Sequence, residues 1–521
     1  MTDAYEIDRR RLLAGAGTFA LGAVGFGFLA GCGGEKEASV SGSGAAGPPK
    51  PGGTLRVGAL GKRSAIERDP HGVLANESDF LIASLVFEAL TIPGREQVAP
   101  RLASSWEPNA DLTRWTFTIA DRASFHDGTP VTADDVVWSL KRLRATDAGA
   151  SRLPGIKPGG IRKATDRSVL LVSDAPNAEL PTLLRLNTFV LPQGTKKPEQ
   201  AAGSGPFKLA SYKDGNAVLK RNDKWHGGKV LLDEIQITMF QDVSAMASAV
   251  LGGQIDFASN VGPVAARSAK ANSGLRVIRR PNDVSLPIVM RIADGPFADV
   301  RVRQALRLAV DRPAMVKGAL SGFGTVANDV MGVADPSYAK DLAQRQRDLA
   351  MAKQLLSDAK FDSSKTYELV TTADIPGLAE SAVLFATQMK DVGVKLKVVK
   401  QDSAAFYDKT WLKAPLYTTY WGTNDSVTFF LSKTMISTTG FNESGWKNKQ
   451  LDGLYAQAVG ATDEAARKAA LHDAQQLQYE QGGYVLWGMA DGLDIARPVV
   501  KDLPTLAGYG RVFLERVWLD A

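Results

Sequence analysis

Cysteine is almost missing from this chain: Cys32 is the only one in 521 residues. Its isolation excludes disulfide frameworks, Cys-based zinc sites and Cys redox pairs from everything that follows it. Histidine is nearly as scarce. His71, His126, His226 and His472 are too far apart for any local metal motif, so no metal is expected. Charge of one sign is not concentrated either. Lys and Arg number 62 against 56 Asp and Glu, a net +6 spread along the chain, and without a basic stripe no nucleic-acid partner is expected. No G-x-S-x-G or H-E-x-x-H stretch occurs, and no nucleophile stands beside a plausible base. Catalytic residues and cofactors are therefore not expected. Beyond the N-terminus no uninterrupted apolar run approaches the ~18 residues a membrane span needs.

What is present is ordinary globular material, 44% hydrophobic and 23% charged, in a chain long enough for about two to four domains. The exception is the start. Residues 9–32 read RRRLLAGAGTFALGAVGFGFLAGC. Two loose G-x-G-x-x-A patterns occur here, but a dinucleotide loop must follow a buried strand, and here three arginines precede the first glycine. Arg9 and Arg10 with the leucines after them have the form of a twin-arginine export signal. Leu12 to Gly31 is uncharged but glycine-rich, a poor permanent helix. It ends in Leu29-Ala30-Gly31-Cys32, which resembles the bacterial lipobox, with Cys32 as the lipidated residue. The expectation is a Tat-type lipoprotein signal peptide over 1–31 and a lipidated, Gly/Ser/Pro-rich flexible tether over 32–52. An uncleaved N-terminal anchor is the alternative. A coil of about twenty residues reaches on the order of 25 Å. The body would thus be exported and held by lipid alone at the outer face of the cytoplasmic membrane.

In the body, strands and helices alternate. Thr54–Gly58 and Trp115–Ile119 alternate as strands, and Ser78–Leu90 carries apolar residues at helical spacing. Thr132 caps a helix with Asp134 and Asp135 in its first turn and Val136, Val137, Leu140 and Leu143 on its buried stripe. Gly203–Phe207 is a turn feeding a strand, Leu231–Met239 a strand and Val243–Leu251 a helix. Val302, Ala305, Leu306, Ala309 and Val310 share a helical face, and Asp311-Arg312-Pro313 opens the next helix. Leu349–Ala359 and Asp463–Glu480 read as helices, Lys395–Val399 and Tyr484–Trp487 as strands. Mixed sheets flanked by helices follow.

The order of these pieces resembles a known family. Val98–Leu143 (VAPRLASSWEPNADLTRWTFTIADRASFHDGTPVTADDVVWSLKRL) is similar to the signature block of the family 5 bacterial solute-binding proteins. GSGPFKLASY (203–212), LLDEIQITMFQD (231–242), LGGQIDFA (251–258), VRQALRLAVDRPAMV (302–316) and AKQLLSDA (352–359) follow in that family's order. Two departures stand out: Lys360 where relatives usually have glycine, and Gly482-Gly483 where many have a proline-containing turn. The resemblance implies an α/β, two-lobed periplasmic-binding-protein-like fold with ligand between the lobes. Lobe I would comprise 53–83, 202–278 and 482–521, with an added subdomain over 84–201, and lobe II 279–481. It further implies a monomeric extracytoplasmic receptor that delivers a small solute, foremost a peptide, to the permease of an ABC importer. A nickel chelate, a sugar or another small solute is the alternative, and an exported hydrolase a more distant one.

By the same resemblance, the ligand-binding residues centre on Tyr420-Trp421-Gly422-Thr423-Asn424-Asp425. In peptide-binding relatives a tryptophan and a short loop lead to an aspartate that pairs with the peptide α-ammonium, while backbone groups bond the ligand main chain. Trp421 matches, and either Asp425 or Asn424 holds the anchor position. The plain alternative is that Asn424-Asp425-Ser426 forms only a helix cap or turn. Asn76, Glu77 and Ser78 fall where the family places lobe I contacts, with a helix N-terminus as their alternative role.

Overall fold

A computed structural model describes residues 48–520, apart from 75, 95–97, 147–151, 154, 186–187, 374, 424 and 508–512. Arg9, Arg10, Cys32 and Asn424 lie outside the described residues.

A twelve-stranded sheet forms the frame. Its order is Lys395–Lys400, Thr366–Thr371, Leu416–Thr418, Arg276–Met290, Tyr484–Ala496, Phe257–Ala258, Thr54–Leu60, Glu234–Phe240, Asn216–Arg221 and Phe207–Lys213. Gly324–Val326 pairs with Tyr484–Ala496, and Trp421–Gly422 with Arg276–Met290. The two long strands at the centre run antiparallel, from Arg276 opposite Ala496 to Val289 opposite Tyr484, with register shifts between Arg280 and Val284 and between Ser285 and Pro287. They carry the sheet from one half of the molecule to the other.

Separate apolar cores sit on either side of this crossing. Leu55, Val57, Leu81, Leu85, Phe207, Ile235 and Phe257 fill one. Leu286, Ile288, Leu306, Met315, Leu369, Phe385 and Trp487 fill the opposite one. A four-stranded sheet, Ala103–Pro108, Arg114–Ile119, Ser168–Val172 and Ile161–Thr165 in spatial order, builds its own core around Phe117, Val136, Leu140 and Leu171. The fold is thus the mixed α/β, two-lobed architecture that the sequence implied.

Local chemistry explains the element boundaries. Thr132 forms a capping box, its hydroxyl accepting from the Asp135 amide while its own amide donates to Asp135 Oδ2 at 2.8 Å. Asp311 accepts from the Ala314 amide at 2.9 Å and Asp463 from the Ala466 amide at 2.8 Å. Each such cap contributes about 0.5–2 kcal/mol. The first large helix runs Glu77–Val86, not to Leu90, because Phe87 is already extended (φ −109°, ψ 162°). The chain turns away where Gly203 and Gly205 press against the Val86 backbone, leaving no room for a Cβ at either. In helix Val300–Leu308, Arg303 and Arg307 are buried. Arg303 donates to the carbonyls of Gln481, Gly482, Phe297 and Ala298. Arg307 donates to those of Tyr484, Tyr479, Glu480 and Gly482. They satisfy the C-terminal carbonyls of helix Glu464–Gln481, which would otherwise lack partners. Burial lowers the Arg307 guanidinium to about 9.

Two features went beyond expectation. The strand expected over Tyr484–Trp487 continues to Ala496, all thirteen residues buried. The fifteen-residue strand Arg276–Met290 was not anticipated, and the expected 278/279 boundary falls inside it. Among the described residues, no helix is long and apolar enough to cross a membrane.

Candidate functional site

The crossing strands bring charged side chains to the middle of the molecule. Arg280 is fully buried and holds Asp283 through two 3.3 Å hydrogen bonds. It also pairs with Asp494, which is 1% exposed. Asp494 in turn accepts from the Asn260 amide at 2.7 Å. Gly492 opposite has no room for a Cβ, since Arg280 and Asp283 occupy that space. Beside this cluster Arg279 donates to Asp491 at 2.9 Å.

The Trp421 segment is built onto this frame. Trp421 pairs with Ser285 and Gly422 with Val284 along the crossing strand. Ser285 Oγ donates to the Trp421 carbonyl at 3.1 Å. The Thr423 amide donates to the Asp283 carbonyl at 3.2 Å, and its hydroxyl donates to the Asn282 carbonyl. The indole of Trp421, half-buried, packs edge-on to Phe430 with centroids 6.5 Å apart. Its Nε1 donates to Glu443 at 3.1 Å. Glu443 is fully buried and also receives Trp411 Nε1 (2.8 Å), the Thr419 hydroxyl (3.0 Å) and the Tyr484 hydroxyl (2.8 Å). Burial pushes this carboxyl up from its ordinary range, and the four donors oppose that rise. Trp421 therefore has its polar edge committed inward. Tyr420 packs, partly buried, against the core of Leu286 and Trp487.

Asp425, 8% exposed, has a partner within the chain: Arg185 Nη2 donates to its Oδ1 at 2.8 Å. Arg185 is 3% exposed, and its Nε donates to the Thr182 carbonyl at 2.9 Å. Ser426, the next residue, is the N-cap of helix Val427–Phe430, accepting from the Phe429 amide and donating to Glu179 at 2.7 Å. Glu179 also pairs with Arg467. The segment 179–185 thus meets 425–428 and Arg467 through charge and hydrogen bonds, with Leu183 inserted into the core of Phe429 and Phe430.

Of the other sequence-derived candidates, Asn76 is buried and tied to its own loop. Its Oδ1 accepts from the Lys62 amide at 2.8 Å, and its Nδ2 donates to the Lys62 carbonyl and Asp79, each at 3.0 Å. It occupies the N-cap position without a side-chain cap bond. Glu77, half-buried, receives the Ser259 hydroxyl at 2.9 Å. Ser78 is fully buried, its hydroxyl without a hydrogen-bond partner. Ser259 and Asn260 adjoin Asp494, so a bonded run connects Glu77 through Ser259, Asn260, Asp494, Arg280 and Asp283 to Thr423. Sequence reasoning missed Arg185, Glu179, Arg280, Asp494 and Glu443. None lies in a local motif, and the topology alone gathers them.

Two lobes joined by crossing strands, with polar groups gathered at the crossing, are the two-lobed architecture of the periplasmic binding proteins. The match is specific: residues 97–443 fit the model of the bacterial extracellular solute-binding proteins, family 5, middle region, and the chain belongs to that family. It is 24% identical over 449 residues to the probable di/tripeptide-binding protein 5 of Pseudomonas aeruginosa, covering 79% of this chain and 84% of that one. It is 26% identical over 460 residues to the periplasmic oligopeptide-binding protein OppA of Salmonella typhimurium, covering 78% and 82%. Among solved structures it is similar to the ABC transporter substrate-binding protein CtaP of Listeria monocytogenes, with TM-score 0.79, 20% identity and 91% and 100% coverage. NikZ of Campylobacter jejuni, solved with Ni(L-His), matches with TM-score 0.75, 20% identity and 89% and 99% coverage.

Proposed function

We propose that this protein is the extracytoplasmic receptor of an ABC importer, and that it captures a peptide between its two lobes and delivers it to the membrane permease. The observation that carries the reading is the family match over residues 97–443 together with relatives named for peptide binding. The crossing strands support it physically. A solute shifts an open–closed balance only by its differential affinity for the closed form, and moving 1:99 to 99:1 needs about 5.5 kcal/mol. A solute touching both lobes supplies such a difference. In this reading lobe I is 53–83, 202–278 and 482–521, with the subdomain 84–201, and lobe II is 279–481. Tyr420, Trp421, Gly422, Thr423 and the neighbouring Asn424 and Asp425 form the lobe II wall, and Glu77 with Asn76 and Ser78 lies on the lobe I side. Arg9, Arg10 and Cys32 export the monomer and anchor it by lipid.

Native mass spectrometry of the purified protein, followed by thermal shift with the solute recovered, tests the reading. A peptide released unaltered on denaturation is expected. A peptide-free mass and no thermal response to peptides would overturn it. A metal chelate is the second reading, favoured by the likeness to NikZ solved with Ni(L-His), and the same spectrum distinguishes it.

A further inference from the structure

Asp425 is the carboxylate that a solute ammonium would be expected to seek, and it is already engaged. Arg185 approaches from segment 179–185, pre-oriented by its own bond to the Thr182 carbonyl, and donates to Asp425 Oδ1 at 2.8 Å. Both side chains are almost wholly removed from solvent, at 3% and 10% exposure. A second cation stands near. Lys433, which rests 3.9 Å from the Phe441 ring centroid, is held down to about 8 by burial and by Arg152, while Asp425 opposes that shift. An entering ammonium would be a further cation beside one carboxylate. It would have to displace Arg185, and a guanidinium displaced inside a buried contact loses its counter-charge without returning to solvent. Replacement is therefore unfavourable by comparison with a relative in which the aspartate stands alone.

We propose that Arg185 is the resident cation of Asp425 and thereby sets the solute specificity of the cleft: the protein takes solutes without requiring a free amine, N-blocked and amine-free molecules included. The proposal rests on the reading above that Asp425 borders the solute cleft. Arg185 acts as a positioning and specificity residue. It fixes Asp425 across the contact between segment 179–185 and the 425–428 turn, and leaves recognition to the solute's backbone and side chains.

The test uses the tripeptide Ala-Phe-Ala, with its α-amine free or acetylated, titrated calorimetrically into the full chain. Affinities for the two forms within threefold of each other are expected for the natural protein, and Asp425→Asn should shift that ratio, if at all, away from the free amine. Arg185→Gln should favour the free amine by more than tenfold, Arg185→Lys should restore indifference, and Arg185→Gln with Asp425→Asn should abolish the acquired preference. A natural protein that already favours the free amine tenfold, and loses that preference in Asp425→Asn, would overturn the proposal. A measurement without solute runs beside it. A double-mutant cycle of Arg185→Gln and Asp425→Asn on the unfolding equilibrium should show coupling of tenfold or more, about 1.4 kcal/mol, and coupling under twofold would overturn the resident pair. Should neither peptide bind any variant, the peptide reading falls, and the cycle alone decides for or against Arg185.

Discussion

Replacing Arg280 by methionine removes the fully buried cation from the centre of the crossing strands. Asp283 and Asp494, 2% and 1% exposed, would be left as neighbouring buried carboxylates, with Asp494 retaining the Asn260 amide. Breaking a buried pair by removing one partner costs about 3–5 kcal/mol, because a desolvated charge remains uncompensated. Two carboxylates in one site cannot both stay ionised cheaply, so one of them should titrate upward. The variant should therefore lose about 3–5 kcal/mol at pH 7.5 in urea unfolding, and recover part of it at pH 5, where that carboxylate takes a proton. Adding Asp283→Leu and Asp494→Leu should restore most of the remainder, since a well-packed apolar replacement of a buried ion cluster is close to neutral. A loss under 1 kcal/mol, or the same loss at both pH values, would refute the view that this cluster staples the two lobes' shared sheet.

Further outcomes follow from individual positions. Lys360 sits at φ 52°, just beyond helix Leu349–Asp358. There Lys360→Gly should stabilise by about 1 kcal/mol in thermal unfolding, and no gain would mean the strain is relieved by other contacts. Burial alone would raise the Asp329 carboxyl, but Arg312, Arg307 and Arg345 outweigh it and hold it below its ordinary value. Its contribution is present above about pH 3.9, the unfolded value, and is lost as pH falls through the lower folded one. Asp329→Asn should thus cost about 3–5 kcal/mol at neutral pH and flatten the acid limb of a stability–pH curve. An acid limb unchanged in the variant would contradict this. Cys32→Ser should move the protein from the membrane fraction to the soluble fraction, and persistent retention would favour an uncleaved anchor.

How much was legible in the sequence depended on whether a signal was local. Thr132, Asp311 and Asp463 act as caps because cap chemistry is read within four residues. Lys360 has the left-handed backbone that glycine adopts most readily, which fits the glycine that the resemblance leads one to expect there. The crossing strands were hidden for the opposite reason. A strand buried on both faces has no period-two alternation. YVLWGMADGLDIA carries Asp491 and Asp494 inward because Arg279 and Arg280 await them across the ladder. The Trp421 segment was singled out by its motif alone. The partner of Asp425 was not, since Arg185 lies 240 positions away in a segment with no pattern of its own. Glu443 was missed likewise, its four donors coming from Trp411, Thr419, Trp421 and Tyr484.

The proposed function requires that solute be held by both lobes at once, beside the crossing strands. A crystal structure of the protein with the solute it retains on purification tests this most directly. Contacts to Trp421–Asp425 on one side and to the Glu77 region on the other are expected. A solute resting against one lobe only, with the other turned away, would contradict it.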